Sequence, residues 1–420
     1  MKSDIFTFSE FITEQANLHM IHAEDQVLYG GVKGTRQVIN ALRSMRDMLA
    51  GHSKGRVHAT TKFDGAPAIF CGYVPKGERD EGKFFVAKKG LFNKEPKYYT
   101  SEEQINSDTS GDLANKLKIC LKEFPKVIKV GSDVFQGDLM FTASDIKTES
   151  IDNTKYLTFH PNTILYAVEE NTEAAREVKN AKVGIVFHTR YRGNTFSEMR
   201  ASFDVDAEKD FDSSKDVWLK DANIQNYSGS YTMTEEETRE VTEALSKAGT
   251  VFQKIAGNTI RELESKPNLA RLIEQFNNTF VRSNEPIANT TGHAKRLVEW
   301  IRDKYQAEID KRKTERGRIT QQKKLDEILE FFSERNMKNL VLMFDLQKAI
   351  VEAKNLIIKK LNNLNSTRTF LQTKNGYKVT NQEGYVIIDQ LDNQAVKLVD
   401  RLEFSYANFS KDIIRGWEKV

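Results

Sequence analysis

The stretch that decides the fold is VHATTKFDGAPAIF, residues 57–70. Residues of high β propensity lie on both sides of a Phe-Asp-Gly-Ala-Pro turn, so the stretch predicts two strands joined by a tight connection. Lys62 ends the first strand, and its amine is expected to project toward a cleft. An isolated KxDG sequence is often an ordinary surface turn, so its meaning depends on the rest of the chain.

Short apolar stretches separated by turn residues continue the strand pattern and predict mainly antiparallel sheets. They are APAIFCGYV, KFFVAKK, SDVFQGDLMF, TILYAVEE and KVGIVFHTRY. Strand patterns return late in the chain, at 367–370, 377–379, 384–388 and 395–399. The polar residues 202–233 are expected to form a long loop.

Two parts of the chain have helical periodicity instead. Apolar side chains recur at three- and four-residue spacing through 38–49, and Gly51 follows where a helix would end. Later, Thr234 and Glu237 form a predicted capping box before a long helical pattern. The predicted fold is therefore α+β: a helical segment at 1–56, a first sheet part at 57–233, a helical insertion at 234–365 and final strands at 366–420.

Composition limits the class of protein. Hydrophobic residues make up 39% of the chain, charged residues 29%, and the net charge is +3, which permits a nucleic-acid partner without demanding one. The two cysteines predict a reducing, cytoplasmic compartment. Asp4 and Glu10 lie where a signal peptide needs an apolar core, and no apolar run is long enough to span a bilayer, so no membrane partner is expected.

Four further segments with chemistry-bearing side chains follow KxDG in order. They are 86–90 with two lysines, 135–139 with Asp138, 383–387 with Glu383, and 395–399 with Lys397. Taken singly, each has an ordinary explanation, such as a solvated strand end, a turn acid or an edge-strand charge. Those explanations do not account for the order.

This ordered series resembles the covalent lysine nucleotidyltransferase superfamily of ATP-dependent DNA and RNA ligases and mRNA capping enzymes. The RNA ligase branch is nearest, and the chain is also similar to uncharacterised proteins of large tailed bacteriophages with a K-hydrophobic-DGAPA segment. The resemblance covers 57–200 and 366–405. It implies a ligase-type adenylation domain and, for a phage protein, an infected host cell as its location.

The resemblance implies a role for each matching residue at the reacting centre. Lys62 would be the nucleophile that takes AMP from ATP, and the turn residues Asp64 and Gly65 would hold it. Glu383 would face a catalytic Mg²⁺ or Mn²⁺, with Asp138 also near the metal.

Other residues would bind the nucleotide. Asp138 would hold the ribose hydroxyls, at a position where the family commonly has glutamate. Lys88 or Lys89 would contact phosphate, Lys397 would contact the α-phosphate, and Arg401 is the next cation after it.

The adenine ring would stack on an aromatic residue of the strand after that of Asp138, where Phe187 is favoured over Tyr166. The nucleophile itself needs a neutral amine, and an unperturbed lysine is neutral only about one part in a thousand near neutral pH. Burial and neighbouring positive charge are therefore expected to lower the pKa of Lys62.

The expected function is an ATP-dependent polynucleotide ligase, acting on RNA more than on DNA, that joins 5′-phosphate to 3′-hydroxyl ends. DNA ligases and capping enzymes usually continue after the last strand into an OB-fold domain, which favours the RNA branch here. Two alternatives stay open. One is another nucleotidyl transfer, with GTP as in capping or with AMP to a protein or metabolite; the other is a non-catalytic scaffold that binds a protein through the helical insertion.

Three more features are candidates for a site. The stretch 308–324 has seven basic residues against three acids and fits either nucleic-acid phosphates or a solvated helix face. His19 and His22 lie close to two acids but offer too few ligands for a metal site. His188 fits either a place in the nucleotide cleft or a structural role.

Overall fold

A computed structural model describes residues 20–52, 57–224, 233–363, 368–389 and 394–418. Parts of the predicted helical N-terminus (1–19, with His19, and 53–56), of the predicted loop (225–232) and of the final strands lie outside the described residues. The described molecule is α+β, as the sequence predicts.

Most strands follow the predicted apolar stretches, and the last four come after the long helical segment. Their bounds are β1 Val57–Lys62, β2 Ala68–Tyr73, β3 Phe84–Ala87, β4 Val134–Thr142, β5 Lys147–Ile151, β6 Thr154–Phe159, β7 Ile164–Glu169, β8 Val183–Arg192, β9 Arg200–Ser202, β10 Val217–Asp221, β11 Arg368–Thr373, β12 Gly376–Thr380, β13 Gly384–Asp389 and β14 Gln394–Leu398.

Three sheets are formed by these strands. The small sheet has the order β1-β13-β14, the central sheet β10-β8-β4-β2-β3 with β9 beside β8, and the third sheet β12-β11-β7-β6-β5. Among the described strands, β10 and β8 are parallel and the other pairs are antiparallel. Strands before and after the long helical segment pair directly, β1 with β13 and β7 with β11.

Two strand regions differ from the prediction. The predicted loop contains β10, an edge strand with polar residues, and the β5–β6 hairpin has no predicted counterpart. Both lie at sheet edges, and β5 exposes most of its side chains. The exposed strand β5 lacks the alternation that reveals a half-buried strand, and β10 has only five residues within an otherwise polar stretch.

The helices fall into three groups along the chain: before β1, between β3 and β10, and in the long segment before β11. Their bounds are α1 Gln26–Tyr29, α2 Gly31–Leu49, α3 Glu102–Asp108, α4 Gly111–Glu123, α5 Glu173–Asn180, α6 Ala207–Asp210, α7 Glu235–Lys254, α8 Gly257–Ser265, α9 Pro267–Arg282, α10 Thr290–Asp310, α11 Glu315–Phe331 and α12 Glu334–Asn362. Thr234 and Glu237 form the predicted capping box at the start of α7.

One apolar core joins the N-terminal helices, the long helical segment and the small sheet. Leu42 of α2, Ile350 of α12 and Ile387 of β13 belong to this core and are fully buried. The helices therefore pack on the small sheet, whose strand β1 ends at Lys62.

The two faces of the central sheet pack against different apolar cores. Leu139, Ile185 and Phe187 lie in an apolar core with α4 on one face, whereas Met140 and Val186 belong to the core on the other face. Because side chains alternate along a strand, Asp138 lies on the same face as Met140.

Candidate active site

Three neighbouring strands bring Lys62, Glu383 and Lys397 together. Lys62 pairs in register with Gly384, the residue after Glu383. Lys62 Nζ lies 2.5 Å from Glu383 Oε2 and donates a hydrogen bond to it, across 321 positions of sequence. Lys397, opposite Val386 on the neighbouring strand, has its Nζ 3.9 Å from Glu383 Oε1. One carboxylate therefore lies between two amines.

Asp138 reaches the same site from the central sheet. Strand β2 follows the KFDG turn and pairs with β4 so that Ala68 is opposite Asp138. Gly65 lies directly against Asp138, because a Cβ atom at Gly65 would be 2.6 Å from the Asp138 Cβ. The turn thus needs glycine at this position, and the charge of Asp138 acts on Lys62.

Asp64 holds the turn in place from inside. Its buried carboxylate accepts hydrogen bonds from Asn162 Nδ2 at 2.6 Å and from the backbone N–H groups of Thr163 and Ile164 at 2.7 and 2.8 Å. Its own N–H donates to the Tyr166 hydroxyl at 2.7 Å. The loop 162–164 was not predicted as part of the site, because backbone amides leave no signal in a sequence.

His188 also lies at this site. A β-bulge on β8 makes His188 the extra residue, since Gln136 pairs with Thr189 and Gly137 with Phe187. Its Nε2 is 3.8 Å from Asp138 Oδ2. Burial lowers the pKa of His188 to about 4, with the charge of Lys62 adding to the effect, so the imidazole is neutral at physiological pH.

The pKa of Lys62 is raised above its ordinary value, contrary to the sequence prediction. Burial acts to lower the pKa, but the adjacent Glu383 carboxylate, with Asp138 and Asp64 beyond it, more than offsets burial. The prediction was wrong because it assumed positive neighbours, and the closest neighbour is an acid. Lys62 is therefore protonated in this state.

Two acids near Lys62, Asp138 and Asp64, have raised pKa values. Burial raises the pKa of Asp138 to about 7, which the nearby Glu383 charge supports and Lys62 opposes. Burial also raises the pKa of Asp64 to about 6, against the hydrogen bonds from Ile164 and Thr163. Strongly shifted acids beside a lysine are typical of functional sites.

Lys397 has the lowered pKa that was expected of Lys62. Burial is the main cause, and the positive charges of Lys62 and Arg401 add to it while Glu383 opposes it. His22 forms a backbone bridge with Lys397, and burial lowers the pKa of His22 to about 3. The sequence indicated His22 only as a weak metal ligand, and the structure places it beside Lys397.

Arg401 lies close enough to Lys397 to affect its pKa, but its guanidinium group contacts acidic side chains. Its Nη1 lies 3.2 Å from Asp25 Oδ2 and 3.8 Å from Glu24 Oε1, and its other nitrogen donates to Asn278. Glu24 in turn pairs with the buried Lys354 at 2.9 Å. These acids of the N-terminal segment are the partners of Arg401 in this structure, and its predicted contact with phosphate stays a prediction.

The two lysines after β3 also have other surroundings. Lys88 Nζ lies 3.3 Å from Asp108 Oδ2 and over the ring of Tyr99. Lys89 is exposed and begins a short helical turn. Neither has a contact with Lys62, Glu383 or Asp138 among those of the described residues, so their phosphate role stays a prediction.

Neither predicted aromatic residue offers a free ring. Phe187 is fully buried on the opposite face of the central sheet, stacked on Phe211 with 10° between the planes. Tyr166 is 1% exposed and stacks on Phe159. The choice of Phe187 was wrong because side chains alternate along β8. Phe187 lies on the opposite face, and its neighbour His188 faces Asp138.

The basic stretch 308–324 joins α10 to α11. Lys311 pairs with Glu308 at 2.8 Å, and Arg318 approaches Glu315 at 3.9 Å. Part of the positive charge is therefore balanced within the stretch itself.

The residues at the site suit a hard divalent cation. Glu383 and Asp138 supply carboxylate oxygens, and Mg²⁺ typically uses one or two carboxylates together with substrate phosphates. Within the described ranges no group of three or more His, Cys, Asp or Glu side chains forms a closed metal cage. The donors that this site offers to such a cation are therefore the carboxylate oxygens of Glu383 and Asp138.

Fold and site define a class: an α+β protein in which a buried glutamate lies between two partly buried lysines, with a neighbouring aspartate from a second sheet. The chain belongs to the family of unknown function DUF6267, whose profile matches residues 17–412. No curated protein and no solved structure matches the chain. Among the described helices, none is long and apolar enough to cross a membrane.

Proposed function

We propose that the protein is an ATP-dependent polynucleotide ligase of the lysine nucleotidyltransferase type, with RNA ends preferred over DNA ends. The observation that supports this most is the contact of Lys62 with Glu383, with Lys397 and Asp138 beside them. Four of the five segments that the resemblance rests on contribute to this one site. Its place of action would be the cytoplasm, of an infected cell if the protein is phage-encoded.

In the first step, the Lys62 amine attacks the α-phosphorus of ATP. The N–P bond forms as the bond to pyrophosphate breaks, and the amine loses its protons. Before ligands bind, Glu383 holds the protonated amine at 2.5 Å, and the protons of the amine pass to solvent as the N–P bond forms. Lys397, whose pKa is lowered but whose amine remains a hydrogen-bond donor, would contact the α-phosphate oxygens.

A divalent cation held by Glu383 and Asp138 would neutralise the charge of the phosphates and of the leaving pyrophosphate. The same Glu383 carboxylate that binds the cation also pairs with Lys62. Drawing Glu383 toward a cation would remove the main influence that raises the pKa of Lys62. Metal and nucleotide would therefore turn a protonated resting lysine into a nucleophile.

The later steps use the polynucleotide. A 5′-phosphate oxygen attacks the phosphorus of lysyl-AMP, which frees Lys62 and leaves AMP on the 5′ end. A 3′-hydroxyl then attacks that 5′-phosphate, a phosphodiester bond forms, and AMP leaves. Each step exchanges one bond to phosphorus for another.

Incubation with ATP labelled at the α-phosphate, together with Mg²⁺, tests the first step. We expect a labelled protein that survives denaturing gel electrophoresis, and loss of nearly all label in Lys62→Ala. Peptide mass spectrometry should place one AMP on Lys62.

Lys94→Ala is the matched control, because Lys94 is an exposed lysine away from the site and its variant should label like the wild type. Labelling by GTP instead of ATP would redirect the proposal to a capping-type transfer. No adduct with any nucleoside triphosphate would overturn it and favour a non-catalytic scaffold.

A further inference from the structure

Two exposed aromatic rings that follow β14 in the chain each carry an arginine on one face. The Arg282 guanidinium lies 4.8 Å from the centre of the Phe409 ring, and that of Arg415 lies 5.9 Å from the centre of the Trp417 ring. Phe409 is 49% exposed and Trp417 is 61% exposed. We call these four residues the Arg/aromatic strip.

One hydrogen bond connects the two Arg–ring pairs of the strip. Arg415 donates a hydrogen bond to the carbonyl of Asn408, the residue before Phe409. The pair of Arg282 and Phe409 is thus linked through the backbone to the pair of Arg415 and Trp417. Since both rings are about half exposed or more, part of each ring surface is accessible to a ligand.

The strip is tied to the loop that holds the KFDG turn. Thr163 Oγ1 donates to Asn408 Oδ1 at 2.6 Å, and the Gly416 N–H donates to the Asn162 carbonyl at 2.8 Å. Asn162 and Thr163 are the residues that hydrogen-bond the Asp64 carboxylate. Asn162 and Thr163 therefore connect the strip by hydrogen bonds to Asp64, the residue two positions after Lys62.

Alternating rings and guanidinium groups suit a single-stranded polynucleotide. Aromatic rings stack on any base, and guanidinium planes both stack and contact phosphate. Net charge contributes little here, because Lys411 is exposed near Asp412 and Arg415 pairs with Glu418 at 3.1 Å. Stacking must therefore supply most of the affinity.

We propose that the Arg/aromatic strip binds the single-stranded end of the polynucleotide beside the Lys62 site, with one base stacked on Phe409 and one on Trp417. The identity of the polymer rests on the proposed ligase function. The rings fix the strand position, and the active site then acts on the terminal phosphate.

Fluorescence anisotropy with a labelled single-stranded RNA 5′-phosphate tests this in the full-length protein. The double variant Phe409→Ala/Trp417→Ala should bind about 5- to 150-fold more weakly for each ring removed. With only two arginines in contact, the logarithm of affinity should fall with the logarithm of salt concentration by a slope of only about 1.4. Trp417→Phe should keep most of the affinity, because the ring remains.

The matched control is Val130→Ala/Val379→Ala, which removes two exposed apolar side chains elsewhere, 83% and 71% exposed, and should leave binding unchanged. Both double variants should form lysyl-AMP like the wild type, since neither touches Lys62. Wild-type RNA binding in the ring-less variant overturns the inference and leaves the rings as a contact for a protein. Binding that depends on the rings in a protein that forms no lysyl-AMP would instead overturn the proposed ligase function alone.

Discussion

At the scale of single residues, Glu383 decides the charge state of the site. Its carboxylate lies 2.5 Å from Lys62 and 3.9 Å from Lys397. The closer amine gains a hydrogen bond and a stronger attraction, so the pKa of Lys62 is raised, whereas burial dominates for Lys397 and lowers its pKa. The pKa values of two lysines in one site are therefore shifted in opposite directions.

Asp138→Asn should change how stability depends on pH. The pKa of Asp138 is raised from 3.8 to about 7 in the folded protein, so this group stabilises the fold below pH 3.8 and loses that contribution as pH rises through about 7. The variant lacks this loss. Relative to the wild type, its free energy of unfolding should therefore gain about 1.4 kcal/mol per pH unit between pH 4 and 7 and level off above.

Urea unfolding of both proteins at several pH values between 4 and 8 measures this difference. Asp25 and Asp64 also titrate in this range, but they are present in both proteins and cancel in the comparison. A difference that stays constant across the range would show that Asp138 ionises with an ordinary pKa.

At the scale of elements, the short turn Ala23–Asp25 ties the helical segment to the last strands. Glu24 pairs with Lys354 of α12, and Gln347 of the same helix donates to the Glu24 carbonyl at 3.2 Å. Asp25 pairs with Arg401, which follows β14. Charges from three distant parts of the chain thus neutralise one another next to Lys397.

Lys354→Met should be strongly destabilising. Lys354 is 1% exposed, and its loss leaves the buried Glu24 without its closest cation, which typically costs about 3–5 kcal/mol. Chemical denaturation measures the loss. Lys348→Met, at an exposed lysine of the same helix, should change stability by no more than about 0.5 kcal/mol.

The double variant Glu24→Gln/Lys354→Met provides a further check. It removes the stranded charge, so it should recover a large part of the stability lost in Lys354→Met. Equal stability of the Lys354→Met and Lys348→Met variants would show that the buried pair contributes little.

At the scale of the whole molecule, the helical segment and the small sheet share a core, so they should unfold together. Ile387→Ala, at a position 0% exposed in that core, should cost about 2–5 kcal/mol. Helical circular dichroism and tryptophan fluorescence should both report this loss with coincident transitions. If the helical signal persisted after the fluorescence transition, the helices would form a separately stable unit.

The sequence by itself determined the identity and order of Lys62, Asp138, Glu383 and Lys397, and the alternation of strands and helices. Such information is local: turn residues, capping residues and the period of apolar side chains need no distant partner. The edge strand β10 escaped prediction because its five residues lie within an otherwise polar stretch.

Only the tertiary structure decided the charge of Lys62, the face on which Phe187 lies and the partner of Arg401. The pKa of an amine depends on which charge approaches it, and here that charge comes from 321 positions away. Because Val186 pairs with Asp138, alternation along β8 puts His188 and not Phe187 on the face of the site. Long-range pairing and strand register, rather than local pattern, control these properties.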